Sequence, residues 1–155
     1  MIILHVEDSG ITRESLAHLL GVRNGRIDGH EYVSTGIVAA AEERLSRATV
    51  RALVLDIGLN VRWDNANMHR ALRNLLAAPE PRLAGDPGLV SYRLAMRAHD
   101  LTVPCALLSN WPDYLKDEDG LTLEVLRDTF HAEAVFRKDE AGISECAAWV
   151  RDHLV

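Results

Sequence analysis

Short apolar runs alternating with segments of helical spacing constrain this chain more than any other feature. The runs are "IILHV" (2–6), "EYVST" (31–35), "ALVL" (52–55), "CALLS" (105–109) and "AVF" (134–136). The third has no polar alternation at all, the pattern of a strand covered on both faces. Between the runs, apolar residues recur at helical spacing. Leu16, Leu19 and Leu20 share a face before Gly21. Ile37, Ala40, Ala41 and Leu45 share another, with Thr35 as candidate cap. Leu89, Tyr92 and Met96 follow, then Val125, Leu126, Thr129 and Phe130 after a Thr122 cap, then Ile143, Cys146, Ala147, Val150 and Leu154. Strands alternating with helices predict an α/β chain with a parallel sheet and helices on both faces.

The 155 residues suffice for one domain with a core, and that domain is expected to span 1–155. The net charge of −6 argues against a nucleic-acid partner, which would need a basic surface. No apolar run is long enough to span a membrane. The start, "MIILHVEDSG", has no basic region and turns acidic early, unlike a signal peptide. Cys105 and Cys146 are expected to be buried free thiols in a reducing cytoplasm.

Two stretches exceed a minimal alternating unit. Residues 60–87 form an insertion after the third strand, whose first half reads as an extra helix. Asp64 is its cap, and Met68, Leu72, Leu75 and Leu76 form its apolar stripe. "NWPDYLKDEDG" (110–120) reads as a long acidic loop after the fourth strand.

In such sheets chemistry collects beyond the carboxyl ends of the strands. Glu7 and Asp8 follow the first strand and Asp56 the third. Ser109 and Asn110 end the fourth, and Lys138 follows the fifth. Three carboxylates brought together repel one another, and a cation relieves them. Oxygen ligands with room for water suit Mg²⁺. A metal and a lysine on either side of one carboxylate fit phosphoryl transfer onto that carboxylate.

This ordered set resembles the receiver domain of two-component response regulators, the CheY-like family. The residues that carry the resemblance are "HVED", "LVLDIGL", "ALLSN" and "VFRK". It covers 1–59 and 88–155. It implies a flavodoxin-like (βα)5 doubly wound sheet with strand order 2-1-3-4-5. It further implies that Asp56 is the phosphoacceptor and that Asp8, Asp56 and the carbonyl of Gly58 bind Mg²⁺ directly. Glu7 would act through a metal-bound water. Ser109 would hydrogen-bond the phosphoryl group, and Lys138 would pair with Asp56. The implied donor is a histidine kinase or histidine phosphotransfer protein. A downstream protein of unknown identity would read the state, and a second copy of the chain is a candidate partner. The chain ends at the fifth helix, so a stand-alone receiver that accepts a phosphoryl group without turning over a substrate is expected.

The sequence departs from the family pattern at four places. Asn60 and Asp139 stand where proline is usual, Asn110 where a small residue is usual, and Val135 where the family often has Tyr or Phe. Those at Asn60, Val135 and Asp139, with the 60–87 insertion, leave open an alternative, a receiver-like interaction module independent of phosphorylation. Enzyme readings fare worse. A haloacid-dehalogenase-type phosphatase needs a second acid at Gly58, and "EDSG" after the first strand would repel a flavin phosphate. Trp111, two residues past Ser109, is a candidate cover over the acceptor.

Overall fold

The computed structural model describes residues 1–59, 73, 87–110 and 122–155. The 60–86 part of the insertion, with its expected helix, lies outside the described residues apart from Arg73, as does the 111–120 loop with Trp111.

The described elements are β1 (Ile2–Val6), α1 (Gly10–Leu20), β2 (Arg26–Ile27), β3 (His30–Thr35), α2 (Val38–Arg47) and β4 (Val50–Leu55). They continue with α3 (Pro87–Asp100), β5 (Cys105–Leu108), α4 (Leu123–Thr129), β6 (Ala134–Phe136) and α5 (Glu140–Asp152). The sheet runs β2-β3-β1-β4-β5-β6, parallel throughout except for β2 against β3. Leaving out β2, this is the order expected, with β1 between β3 and β4. Leu4 is level with Val33 on one side and Leu53 on the other. Strand order reverses at β1, so the crevice that such a sheet uses opens beyond β1 and β4.

β2 is an addition to the expected strands. It forms a hairpin with β3 through Asp28 and Gly29, whose φ angles are 45° and 84°. Two central residues at positive φ match the right-handed twist of the flanking strands.

The sheet divides the core. Leu4, Val6, Leu53 and Leu55 pack with Ala41 and Leu45 of α2, Leu94 of α3, and Leu126 and Phe130 from α4 and its cap. Ile3, Ala52 and Val54 face the other way, against Leu16 and Leu20 of α1 and Cys146, Ala147 and Val150 of α5. Three residues assigned to buried faces by spacing sit nearer the rim: Leu19, Ile37 and Val125 are 39%, 65% and 38% exposed. Spacing gives the direction of a side chain and not the depth of what covers it. Cys105 and Cys146 are free and buried, and burial pushes both thiols up to about 12. None of the described helices is long and apolar enough to cross a membrane.

Candidate functional site

Glu7 and Asp56 leave their strands with the ladder still engaged. Glu7 N donates to Thr35 O at 2.9 Å and Asp56 N to Val6 O at 3.0 Å. Both carboxylates are therefore fixed at the crevice mouth and almost wholly buried, while Asp8 is exposed. Ser9, not Asp8, caps α1, accepting from Thr12 N. Carboxylate oxygens of Glu7, Asp8 and Asp56 all lie within 4.8 Å of one another.

Lys138 reaches this cluster from the end of β6. Its Nζ donates to Asp56 Oδ2 at 2.9 Å and to Glu7 Oε1 at 2.9 Å, and lies 2.8 Å from Glu7 Oε2. Among the described residues, Glu7 Oε2 receives no directed hydrogen bond despite that approach. Glu7 Oε1 also accepts from Ser9 N, and Asp56 Oδ1 from Ile57 N at 2.8 Å. Burial, then the neighbouring Asp56 charge, raise the Glu7 pKa to about 7 even against the pull of Lys138. Burial alone would lower the pKa of Lys138, but the Asp56 and Glu7 carboxylates outweigh it and hold the ammonium charged. The relief that three clustered acids need thus comes in part from the chain's own lysine. A buried carboxylate oxygen without a directed donor, beside two more acids, also suits a hard divalent cation.

The lysine loop is held without the usual proline. Asp139 caps α5, accepting from Gly142 N at 2.6 Å. Gly142 lies so close to the preceding loop that a Cβ there would stand 2.0 Å from Arg137 O. That neighbour is backbone and has no room to give. Gly142→Ala should therefore displace Arg137, and Lys138 with it. An expected loss of about 1–3 kcal/mol from overpacking, measured by urea unfolding, should be accompanied by weaker divalent-cation binding. Gly36 is a second close approach: a Cβ there would meet Asp8 Cα at 3.0 Å.

No protein-family model matches the sequence, and no curated protein sequence matches it significantly. Solved structures do resemble it. A CheY-like response regulator receiver domain protein from Methanospirillum hungatei JF-1 is 14% identical, with a TM-score of 0.58 over 99% of this chain and 92% of that one. A putative response regulator from Chloroflexus aurantiacus J-10-fl gives 15%, 0.53, 99% and 96% in the same terms. Response regulator Rcp1 in its Mn²⁺-bound form gives 14%, 0.52, 97% and 91%. The fold is that of a response-regulator receiver domain.

On this receiver fold the structure brings Glu7, Asp8, Asp56 and Lys138 together as the sequence suggests. Ser109 is buried at the carboxyl end of β5, its N–H bonded to Phe136 O at 2.9 Å. Gly58 is half-buried two residues past Asp56. Thr35 does not cap α2: the N-cap is Ile37, and Thr35 Oγ1 instead accepts from Ile37 N.

Sequence reasoning passed over three residues around this acidic cluster. Arg13 Nη1 donates to Glu7 O at 3.0 Å, bracing the acid pair from α1. His5 is fully buried behind Glu7, with Nδ1 2.8 Å from Tyr32 Oη. Ser91 of α3 is also fully buried, with Oγ 2.8 Å from Asp56 O and 2.6 Å from Ile57 O. A polar residue inside an apolar run was the available signal for His5 and Ser91, and it does not name the partner.

Proposed function

We propose that this chain is a phosphorylation-controlled receiver, with Asp56 as acceptor and Mg²⁺ as its cation. The observation that carries this reading is the contact between Lys138 Nζ and Asp56 Oδ2, 2.9 Å across 82 positions of sequence, with Glu7 and Asp8 gathered beside it. An aspartate oxygen forms the new bond to phosphorus as the donor's bond to phosphorus breaks. Charge on the transferring oxygens is met by the Lys138 ammonium and by the hydroxyl of Ser109. Ile57 N holds Asp56 Oδ1 and so orients the nucleophile. Asp8, Asp56 and the Gly58 carbonyl would hold the cation, with Glu7 acting through water. When bound, the cation supplies further neutralisation of phosphoryl charge. The Mn²⁺ of Rcp1 supports a divalent ion on this fold. The donor would be a histidine kinase or histidine phosphotransfer protein, and the readout a change in protein binding.

A second reading, a module independent of phosphorylation, draws on one observation. Val135, where the family often has an aromatic, is packed against the core as a half-buried residue. Intact mass after incubation with acetyl phosphate and Mg²⁺ separates the two. The receiver reading expects a single phosphoryl adduct on wild type and none on Asp56→Asn. Equal labelling of both proteins, or none of the wild type, would sink the acceptor assignment.

A further inference from the structure

Ser91 is in an unusual place for a serine. It sits within α3, at a level where Leu94 and Ala95 are core residues, and none of its surface is exposed. A mid-helix serine ordinarily points to solvent or bonds back to the carbonyl four residues earlier. This one is buried and reaches out of its helix to two backbone carbonyls, Asp56 O and Ile57 O. A hydroxyl carries one hydrogen, so the donor is shared between the two. The strand pairing of β4 with β5 ends at Leu55. Beyond it, carbonyls in a buried turn need donors from elsewhere.

The bond acts on the acceptor through one rigid unit. Asp56 C=O and Ile57 N–H belong to the same peptide plane, and that plane does not twist. Ser91 holds its oxygen end. Its N–H end donates to Asp56 Oδ1 at 2.8 Å. Fixing the carbonyl therefore fixes the direction of the N–H, which fixes one carboxylate oxygen and leaves Oδ2 to Lys138. We propose that Ser91 is a positioning residue for phosphoryl transfer, its hydroxyl holding the 56–57 peptide so that the Asp56 carboxylate is presented in one orientation. This rests on the receiver reading given above. Losing the orientation of a reacting group by about an ångström can cost on the order of 100-fold in rate.

The test uses the full chain with acetyl phosphate and Mg²⁺, following the phosphorylation rate by intact mass. Ser91→Ala is expected to slow labelling by about 10- to 100-fold, and Ser91→Thr, which keeps the hydroxyl, to recover most of the rate. Ala98→Gly weakens the same helix without touching the turn and should label at the wild-type rate. Hydrogen exchange supplies an independent readout: the Ile57 amide should exchange faster in Ser91→Ala and not in Ala98→Gly. Wild-type rate and unchanged Ile57 exchange in folded Ser91→Ala would overturn the proposal while leaving the receiver reading intact. Equal slowing in Ala98→Gly would also overturn it, by making the effect one of stability. A wild-type chain that takes no label at Asp56 removes the receiver reading, and this inference with it.

Discussion

Replacing Lys138 with methionine is expected to lower the unfolding free energy by about 3–5 kcal/mol at pH 8, the cost of stranding buried charge. The Lys138 side chain is 12% exposed, and those of Glu7 and Asp56 are 0% and 6% exposed. Without the ammonium, two buried carboxylates face each other with no cation of the chain's own between them. The deficit should shrink at pH 5.5. Glu7, already raised to about 7 in the wild type, then holds a proton in the folded state, and one charge is left rather than two. Mg²⁺ should restore part of the loss at pH 8, by about 2.7 kcal/mol at a hundredfold excess over its dissociation constant. Urea unfolding at the two pH values, with and without Mg²⁺, measures all of this. A variant as stable as wild type at both would mean that the lysine stabilises nothing.

The second large effect lies behind the site. Burial, aided by the charges of Lys138 and Arg13, lowers the His5 pKa from 6.5 to about 3. The folded state refuses a proton that the unfolded chain takes up below pH 6.5. Stability from His5 is therefore complete above that pH and falls by about 1.4 kcal/mol per unit as pH drops toward 3. Glu7 acts in the opposite sense. Its pKa is raised from 4.5 to about 7, so its contribution is present below 4.5 and lost as pH rises through 7. Between 4.5 and 6.5 the two slopes oppose each other and the wild type should show little net dependence from this pair. Glu7→Gln unmasks the histidine: it should lose about 2–3 kcal/mol between pH 6.5 and 4.5 relative to Glu7→Gln/His5→Gln. The glutamine at position 5 keeps a polar partner for Tyr32 Oη and does not titrate. Parallel pH profiles for the two variants would mean that His5 is not held neutral.

How much of this was legible depends on how local the signal is. The strand ends could be read because buried parallel strands are continuous apolar runs, and an acid or lysine closing such a run stands out. β4 begins two residues before the run suggests, because Arg51 interrupts the apolar pattern. Its guanidinium leaves the sheet and donates to His153 O and Val155 O, each at 2.7 Å. The β2–β3 hairpin did carry a local signal in Asp28-Gly29, a dipeptide suited to such turns, but β2 is two residues long and has no apolar run of its own. The cap of α1 is Ser9, and beside Asp8, another good capping residue, sequence alone does not single it out. Ser91 was illegible for a different reason: its acceptors lie 34 and 35 positions away. A serine in a helix says that something must satisfy a hydroxyl, and only the packing of α3 on the turn after β4 says what.

The span of the Lys138 contacts has a consequence for biosynthesis. The lysine meets Asp56 across 82 positions and Glu7 across 131, and it is placed by β6 and the cap of α5, which are made after the strands that carry the acids. A chain emerging from the ribosome exposes its acids long before their counter-charge exists. Until α5 docks, Glu7 and Asp56 have strong reason to remain hydrated, and the edge of β5 that will receive β6 is open. Nascent chains arrested before about residue 140 should therefore lack the lysine-paired site. On the proposed reading, competence to accept a phosphoryl group would then arrive together with the pairing of β6 onto β5.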